Sequence, residues 1–484
     1  MSYRATILAV LATSALTAGC ASSARITPNL ALPAAFQAPA APAGMAPAPL
    51  DAWWANFSDP ALTALVETAL KASPEARTAT LRLQEAIATR RGLVDTAILP
   101  SGQVNGSTAK GNSEVSGFTF PGFSQSGDTR NASANFNISW ELDYLNRRGD
   151  AIRTANSDLA AVRFNSEAAK ASLAANVAQL YFQLRALDVQ LDNARETGRV
   201  QGALADLATR KAKVGIGTGA DADRVAGDLA QAKAQITALE AQQQAARRSL
   251  LILIGRGTDP VQSLPLPPAV VVIPAPLATT PGDLLTRRPD VREAFARLAS
   301  AAGRLKLDEK ALFPTFNLNP GLGYSKSELP GFTTTTKSWT LGVGVSVPVM
   351  NLPRLKTEID AQGARVDQAA LAYEKAVQTA YGEAENALTQ LDADRRRVAL
   401  LTDGEVRARR AYDAANRRYA DGVDDLTQAL SAEQSWRATR SALTSAQADA
   451  QQRAVQAFKA LGGGWTSTQT PQTSAQAART ETHS

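Results

Sequence analysis

From Asn131 to Tyr144 the chain alternates without a slip. Ala132, Ala134, Phe136, Ile138, Trp140, Leu142 and Tyr144 are apolar or amphipathic, and the residues between them, among them Asn131, Ser133, Asn135 and Asn137, are polar. A period of two sends successive side chains to opposite faces of a strand, so one face suits an apolar medium and the other suits water. At about 3.3 Å per residue such a strand reaches roughly 45 Å, enough to cross a bilayer obliquely. Taken alone, the stretch fits a half-buried strand of an ordinary sheet equally well. The rest of the chain decides.

The chain beyond Gly149 does not suit a compact β fold. No proline occurs from Ala151 to Asp259, and Leu173, Val177, Leu180, Leu184, Leu187 and Leu191 step by four, three, four, three and four. That rhythm is a coiled-coil seam. Val225, Leu229, Ala232, Ile236 and Leu239 keep it in a second stretch. Gly215, Gly217 and Gly219 divide the span into helices at about 150–213 and 221–254, with Asp221 placed to start the second. The first alone extends about 95 Å at 1.5 Å per residue. Hydrophobic residues make up 44% of the chain but aromatic ones only 6%, which suits closely packed helices better than a bulky globular core.

Then the plan repeats. Beyond a Pro-rich linker at 260–283, Arg288-Pro289-Asp290 opens a helix as Ser73-Pro74-Glu75 does, and Leu312-Phe313-Pro314 ends one as Ile98-Leu99-Pro100 does. Strands are expected at 101–110 and 131–144 in the first half. In the second they are expected at 315–324, interrupted by Pro320, and at 339–349, ahead of long helices at 354–420 and 424–461. The repeats span 51–259 and 284–463, and the polar tail at 464–484 is expected to be disordered. Each half reads helix, helix, strand, strand, long helix, turn, long helix. A membrane barrel must close, and the smallest have about eight strands. Four strands that span a membrane therefore require an oligomer, whose symmetry gathers the long helices into one cylinder.

The reactive inventory is thin. His483 is the one histidine and Cys20 the one cysteine, so no His/Cys metal cluster, Ser-His-Asp triad or Cys-His pair can be assembled. No catalytic residue, metal or dissociable cofactor is expected, and the chain reads as no enzyme. Net charge is +6 but dispersed. The arginine doublets at 247–248, 409–410 and 417–418 sit among acids on predicted helices, which points to solvated or intersubunit faces and not to nucleic acid. Gly215-Ile216-Gly217-Thr218-Gly219 follows no strand and so makes no phosphate loop.

Residues 1–19 read as an export signal: Arg4, an apolar run from Ala5 to Leu16, then Thr17-Ala18-Gly19 before Cys20. The small residues ahead of Cys20 resemble a bacterial lipobox, with Thr17 where leucine is usual. A covalent lipid such as palmitate on Cys20 is expected, with ordinary secretory cleavage the alternative. Residues 20–50, rich in Pro and Ala, form an extended tether. Ala21 after the cysteine resembles sorting to the outer membrane.

From Trp53 to Trp465 the chain resembles the TolC/OprM-like outer-membrane efflux factors, and most closely their lipidated NodT-type branch. The resemblance rests on the duplicated order, Leu99-Pro100 and Phe313-Pro314 before strands, Trp140-Glu141-Leu142-Asp143 closing one, and two glycine-centred helix turns. Gly215, Thr218 and Asp221 fit the first-turn pattern Gly-x-x-Ser/Thr-x-x-Asp, and Tyr419 to Thr427, centred on Gly422, resembles the second. The resemblance implies a mostly α, internally duplicated fold in which four strands per chain contribute to a twelve-stranded trimeric barrel and the long helices form a periplasmic tunnel. It implies a homotrimer in the outer membrane of a Gram-negative bacterium, conducting small molecules or drugs passively to the exterior and contributing to multidrug resistance. A periplasmic membrane-fusion adaptor and an inner-membrane pump of the RND type are the implied partners.

Family gates often carry an aspartate nine residues after the second glycine, a place held here by Ser431. Asp221, Asp424 and Asp425 are the acids expected to line the mouth, with helix capping as their plainer role. Trp140 and Tyr144 are expected as interfacial anchors at one end of the barrel. Two alternatives stay open: a type I protein-secretion channel, and a non-channel envelope lipoprotein whose helices form a coiled-coil spacer.

Overall fold

The computed structural model describes residues 26–39, 50–113, 127–264, 272–274, 279–329 and 332–466. The expected signal, Cys20, most of the tether, part of the linker and all but the start of the tail lie outside the described residues.

A 3-10 turn at Trp53–Phe57 leads into α1 (Pro60–Ala72) and α2 (Pro74–Ile98), then β1 (Ser101–Ser113) and β2 (Gly127–Glu141). Two long helices come next, α3 (Arg147–Lys213) and α4 (Gly219–Leu253). The second half gives α5 (Asp283–Arg287), α6 (Pro289–Lys310), β3 (Thr315–Leu329), β4 (Phe332–Ser346), α7 (Leu352–Ala420) and α8 (Leu426–Ala460). The long helices have 67 and 35 residues in the first half, 69 and 35 in the second. Among the described residues no helix is long and apolar enough to cross a membrane.

The two compact units of the chain each draw on both repeats. One compact unit gathers Gln84–Val162 with Ala294–Tyr373; the other gathers Asn29–Leu83, Arg163–Glu293 and Glu374 onward. The reason is the sheet. Its order is β1-β2-β3-β4, all antiparallel, so β2 of the first repeat pairs with β3 of the second and neither half completes a sheet alone.

The strands are longer and shifted relative to expectation. β1 and β2 stay in register out to Ser113 and Gly127, because short polar residues there carry no bulk against pairing. β2 ends at Glu141 and not at Tyr144: Asp143 turns its carboxylate to the backbone N–H groups of Arg147 and Arg148, at 2.6 and 3.1 Å, and starts α3. β3 runs through Pro320 to Leu329. Pro320 stays in register with Leu341 of β4, while the ladder toward β2 lapses between Asn137 and Trp140, where a missing N–H is tolerated. β4 begins at Phe332, seven residues before the expected start, because the β-branched run Thr333 to Thr336 extends it, and ends before Pro348.

Most of the seam read from the heptads is buried, with Leu180, Leu229 and Ile236 half-buried. Leu173, Val177, Leu184, Leu187 and Leu191 of α3, and Val225, Ala232, Leu239, Ala246 and Leu250 of α4, all lie inside. In the same unit Trp53 stacks on Phe458 with ring centroids 5.5 Å apart, and Phe57 packs on Phe182 at 4.8 Å. Asp59 caps α1 through the N–H groups of Ala61 and Leu62, at 2.9 and 3.2 Å, and accepts a 2.6 Å bond from the buried Tyr181 hydroxyl. Burial and this carboxylate raise the Tyr181 pKa. The segment at 26–39 runs extended along α7, with Phe36 stacked on Tyr381 and the Gln37 N–H donating to Glu385 at 3.0 Å.

Candidate functional site

Both long-helix pairs turn through the same device. At the end of α3 Gly215 takes φ 77°, its N–H donates to the Ala212 carbonyl at 3.2 Å, and that of Ile216 donates to the Lys211 carbonyl at 3.0 Å. At the end of α7 Gly422 also takes φ 77°, with its N–H on Tyr419 at 3.1 Å and that of Val423 on Arg418 at 2.9 Å. These are the paired bonds of a Schellman C-cap, which needs a left-handed residue and satisfies two orphaned helix carbonyls.

The N-caps beyond the two glycines also correspond. Thr218 accepts from the Asp221 N–H at 3.1 Å and donates its hydroxyl to the Asp221 carboxylate at 2.7 Å. Three residues after Gly422, Asp425 accepts from the Gln428 N–H at 3.0 Å. Asp425 is thus the counterpart of Thr218, and Gln428 the counterpart of Asp221. Asp424 faces back to α7, where the Arg418 guanidinium holds both its oxygens at 2.8 and 2.9 Å. Ser431 is exposed in the second turn of α8. Each acid proposed for the mouth therefore has a local bonding partner.

Sequence reasoning missed the residues that join the two turns. Lys211 of α3 donates to the Tyr419 carbonyl of α7 at 3.0 Å, and its ammonium stands 4.0 Å from the centre of the Tyr419 ring. Burial pushes the Tyr419 phenol up, and the nearby Asp221 carboxylate adds to the effect. Behind the turns Val225, Tyr419, Leu426 and Leu430 belong to one buried apolar cluster with Tyr412 and Trp436, whose rings stack at 5.1 Å. Glu433 of α8 is 1% exposed at the edge of this cluster. Burial pushes its carboxyl above the usual carboxylate range and Asp228 adds to that, against the pull of Arg437, whose guanidinium is 3.1 Å away. The sequence held one usable signal: Tyr419 is a lone aromatic three residues before the turn glycine.

At the sheet, Trp140 lies on the apolar face with the Arg148 guanidinium 5.6 Å from its ring centre. Tyr144 sits past the strand end, donating its hydroxyl to the Pro314 carbonyl at 2.5 Å with its ring edge-on to Phe316 at 5.2 Å. Cys20 lies outside the described residues.

The family model described as outer membrane efflux protein matches residues 65–256 and 280–463, one segment in each repeat. The chain is 29% identical to the pyoverdine export outer membrane protein OpmQ of Pseudomonas aeruginosa, over 86% of this chain and 88% of that one. It is 32% identical to the fusaric acid resistance protein FusA of Burkholderia cepacia, over 74% and 69%. Among solved structures the outer-membrane channel OprN superposes with a TM-score of 0.77 at 25% identity, covering 91% of this chain and 99% of that chain. With both halves matched and relatives aligned over most of its length, the chain belongs to the outer membrane efflux protein family and is an outer-membrane efflux channel.

Proposed function

We propose that this channel is a passive exit duct for small organic solutes whose resting closure is held by paired contacts at the two helix turns. The channel is a homotrimer of the Gram-negative outer membrane that extends into the periplasm and works with a periplasmic adaptor and an inner-membrane pump. The single observation that carries the duct is the sheet: four strands with one apolar face and two open edges, β1 and β4, which no pairing within one chain closes. Three copies supply twelve strands and close it. No bond chemistry is involved; the pump provides the energy, and the protein's part is a path and a gate.

In this reading Lys211 on Tyr419 and Arg418 on Asp424 hold the turns together at rest, and Asp221 and Asp425 fix the helix starts. Relatives named for pyoverdine export and fusaric acid resistance favour small organic cargo over secreted protein. Cys20 carries the lipid, and Trp140 and Tyr144 mark the membrane edge of the barrel. The test is planar-bilayer conductance of the detergent-purified protein with its mass measured on the same sample. A trimer with discrete openings is expected. A monomer or dimer that never conducts would favour the coiled-coil spacer over the duct.

A further inference from the structure

The four strands keep every full charge but one, among the described residues, off the face that water must occupy. The registers set Asn135 beside Asn105 and Gly323, and Gly323 beside Ser338; the next row of the same face sets Ser133 beside Ser107 and Ser325. The opposite face sets Phe136 beside Val104 and Leu322, and Leu322 beside Trp339. In a closed barrel the second face meets lipid and the first lines the bore.

Six charged strand residues, Lys110, Asp128, Arg130, Lys326, Glu328 and Lys337, share the parity of Phe136 and lie on the lipid-side face. All six fall beyond Leu322 toward the hairpin ends, above the apolar band. The bore parity carries one charged residue among the described residues, Glu141 at the helix end, and Arg147 neutralises it at 3.1 Å. Elsewhere the bore wall bonds to itself: Ser107 to Ser133 at 2.8 Å, and the Ser327 hydroxyl to the Asn131 amide oxygen at 2.7 Å. Gly321 and Gly323 leave gaps that neighbours fill, since an added Cβ would meet the Thr340 and Ser338 hydroxyls at 2.8 and 2.6 Å.

We propose that the barrel section is a charge-indifferent, hydrogen-bonding bore, so that this chain's exit passes anionic, cationic and zwitterionic polar solutes alike and leaves discrimination by charge to the helical part. This rests on the duct reading. A ring of one sign selects ions because the field of fixed charges adds at the axis; amides and hydroxyls facing one another supply contacts without such a field. The cargo class that fits is polar organic solutes with many donors and acceptors, whatever their net charge.

The test uses the full-length trimer in proteoliposomes with Asn135→Cys, the unsubstituted protein giving the background. Cationic and anionic methanethiosulfonates of equal size should modify the introduced thiol at similar rates, and Asn137→Asp in the same background should speed the cationic reagent and slow the anionic one. Lys337→Gln and Arg130→Gln should change neither rate. A strong preference for one sign without Asn137→Asp would overturn the proposal, as would a change of rates with Lys337→Gln. A thiol that reacts with neither reagent would place Asn135 away from water and overturn it too. Because modification needs no open gate, a trimer that shows equal rates yet never conducts would leave the bore standing and remove the duct.

Discussion

Lys211 and Tyr419 bond the two turns directly: the ammonium donates a 3.0 Å hydrogen bond to the backbone carbonyl and stands 4.0 Å from the centre of the ring. The two contacts cooperate. The carbonyl is freed for Lys211 by its place in the last turn of α7, and it accepts the Gly422 N–H as well. A cation here also meets the negative end of the helix dipole.

Lys211→Met keeps the stem and removes the charge. A part-buried cation–π contact with its hydrogen bond contributes about 1–2 kcal/mol, a factor of roughly 5–30 in a two-state population. Open probability in planar bilayers should rise by about that factor per protomer at most, with trimer mass unchanged. Unaltered gating would remove this pair from the closure.

The Arg418–Asp424 pair distinguishes a latch from a charge ring. Asp424→Ala and Arg418→Ala should raise conductance to a similar extent, and the double variant should add nothing, since either single change already breaks the bidentate contact. A ring of free acids predicts otherwise: Asp424→Ala would lower cation preference and Arg418→Ala would raise it. The latch should also weaken with ionic strength, because Arg418 is largely exposed.

Gly215→Ala and Gly422→Ala test whether the turns are energetic copies. A Cβ at either position meets nothing within 4 Å, so the penalty comes from the left-handed φ alone. About 1–2 kcal/mol is expected for each, read as similar losses of thermal stability of the trimer. A much larger loss at one turn would show that its tip is packed in the assembly.

These residues also mark where the sequence stops being informative. The period of two in β2, the heptads of α3 and the turn glycines are local patterns, and local patterns survive without tertiary knowledge. The β2–β3 pairing is not local: it joins residues nearly 200 positions apart, and nothing in either strand names its partner. Pro320 read as an interruption because the rule against proline in strands ignores which neighbour would have used the N–H. Arg418 and Asp424 looked like members of a charged helix face and a free acid. Only the reversal of direction at Gly422 brings them together. Glu433 fell on a helix rich in polar residues, where nothing local marks a glutamate that folding leaves 1% exposed beside Asp228 and Arg437.

Glu433 gives the pH dependence its sign. Its carboxyl is pushed up in the folded protein, by burial first and by Asp228 second, with Arg437 opposing. The folded state therefore holds the proton to higher pH than the unfolded chain does, and stability must fall as pH rises through the folded pKa. Wild-type trimer should gain thermal stability on acidification from neutral pH toward the ordinary glutamate range, through this group. Glu433→Gln removes the titration, so the gain over that interval should shrink. Equal pH slopes in the two proteins would mean that Glu433 is already solvated in the trimer, or that Arg437 cancels the burial entirely. The cluster behind the turns would then play no part in the acid response.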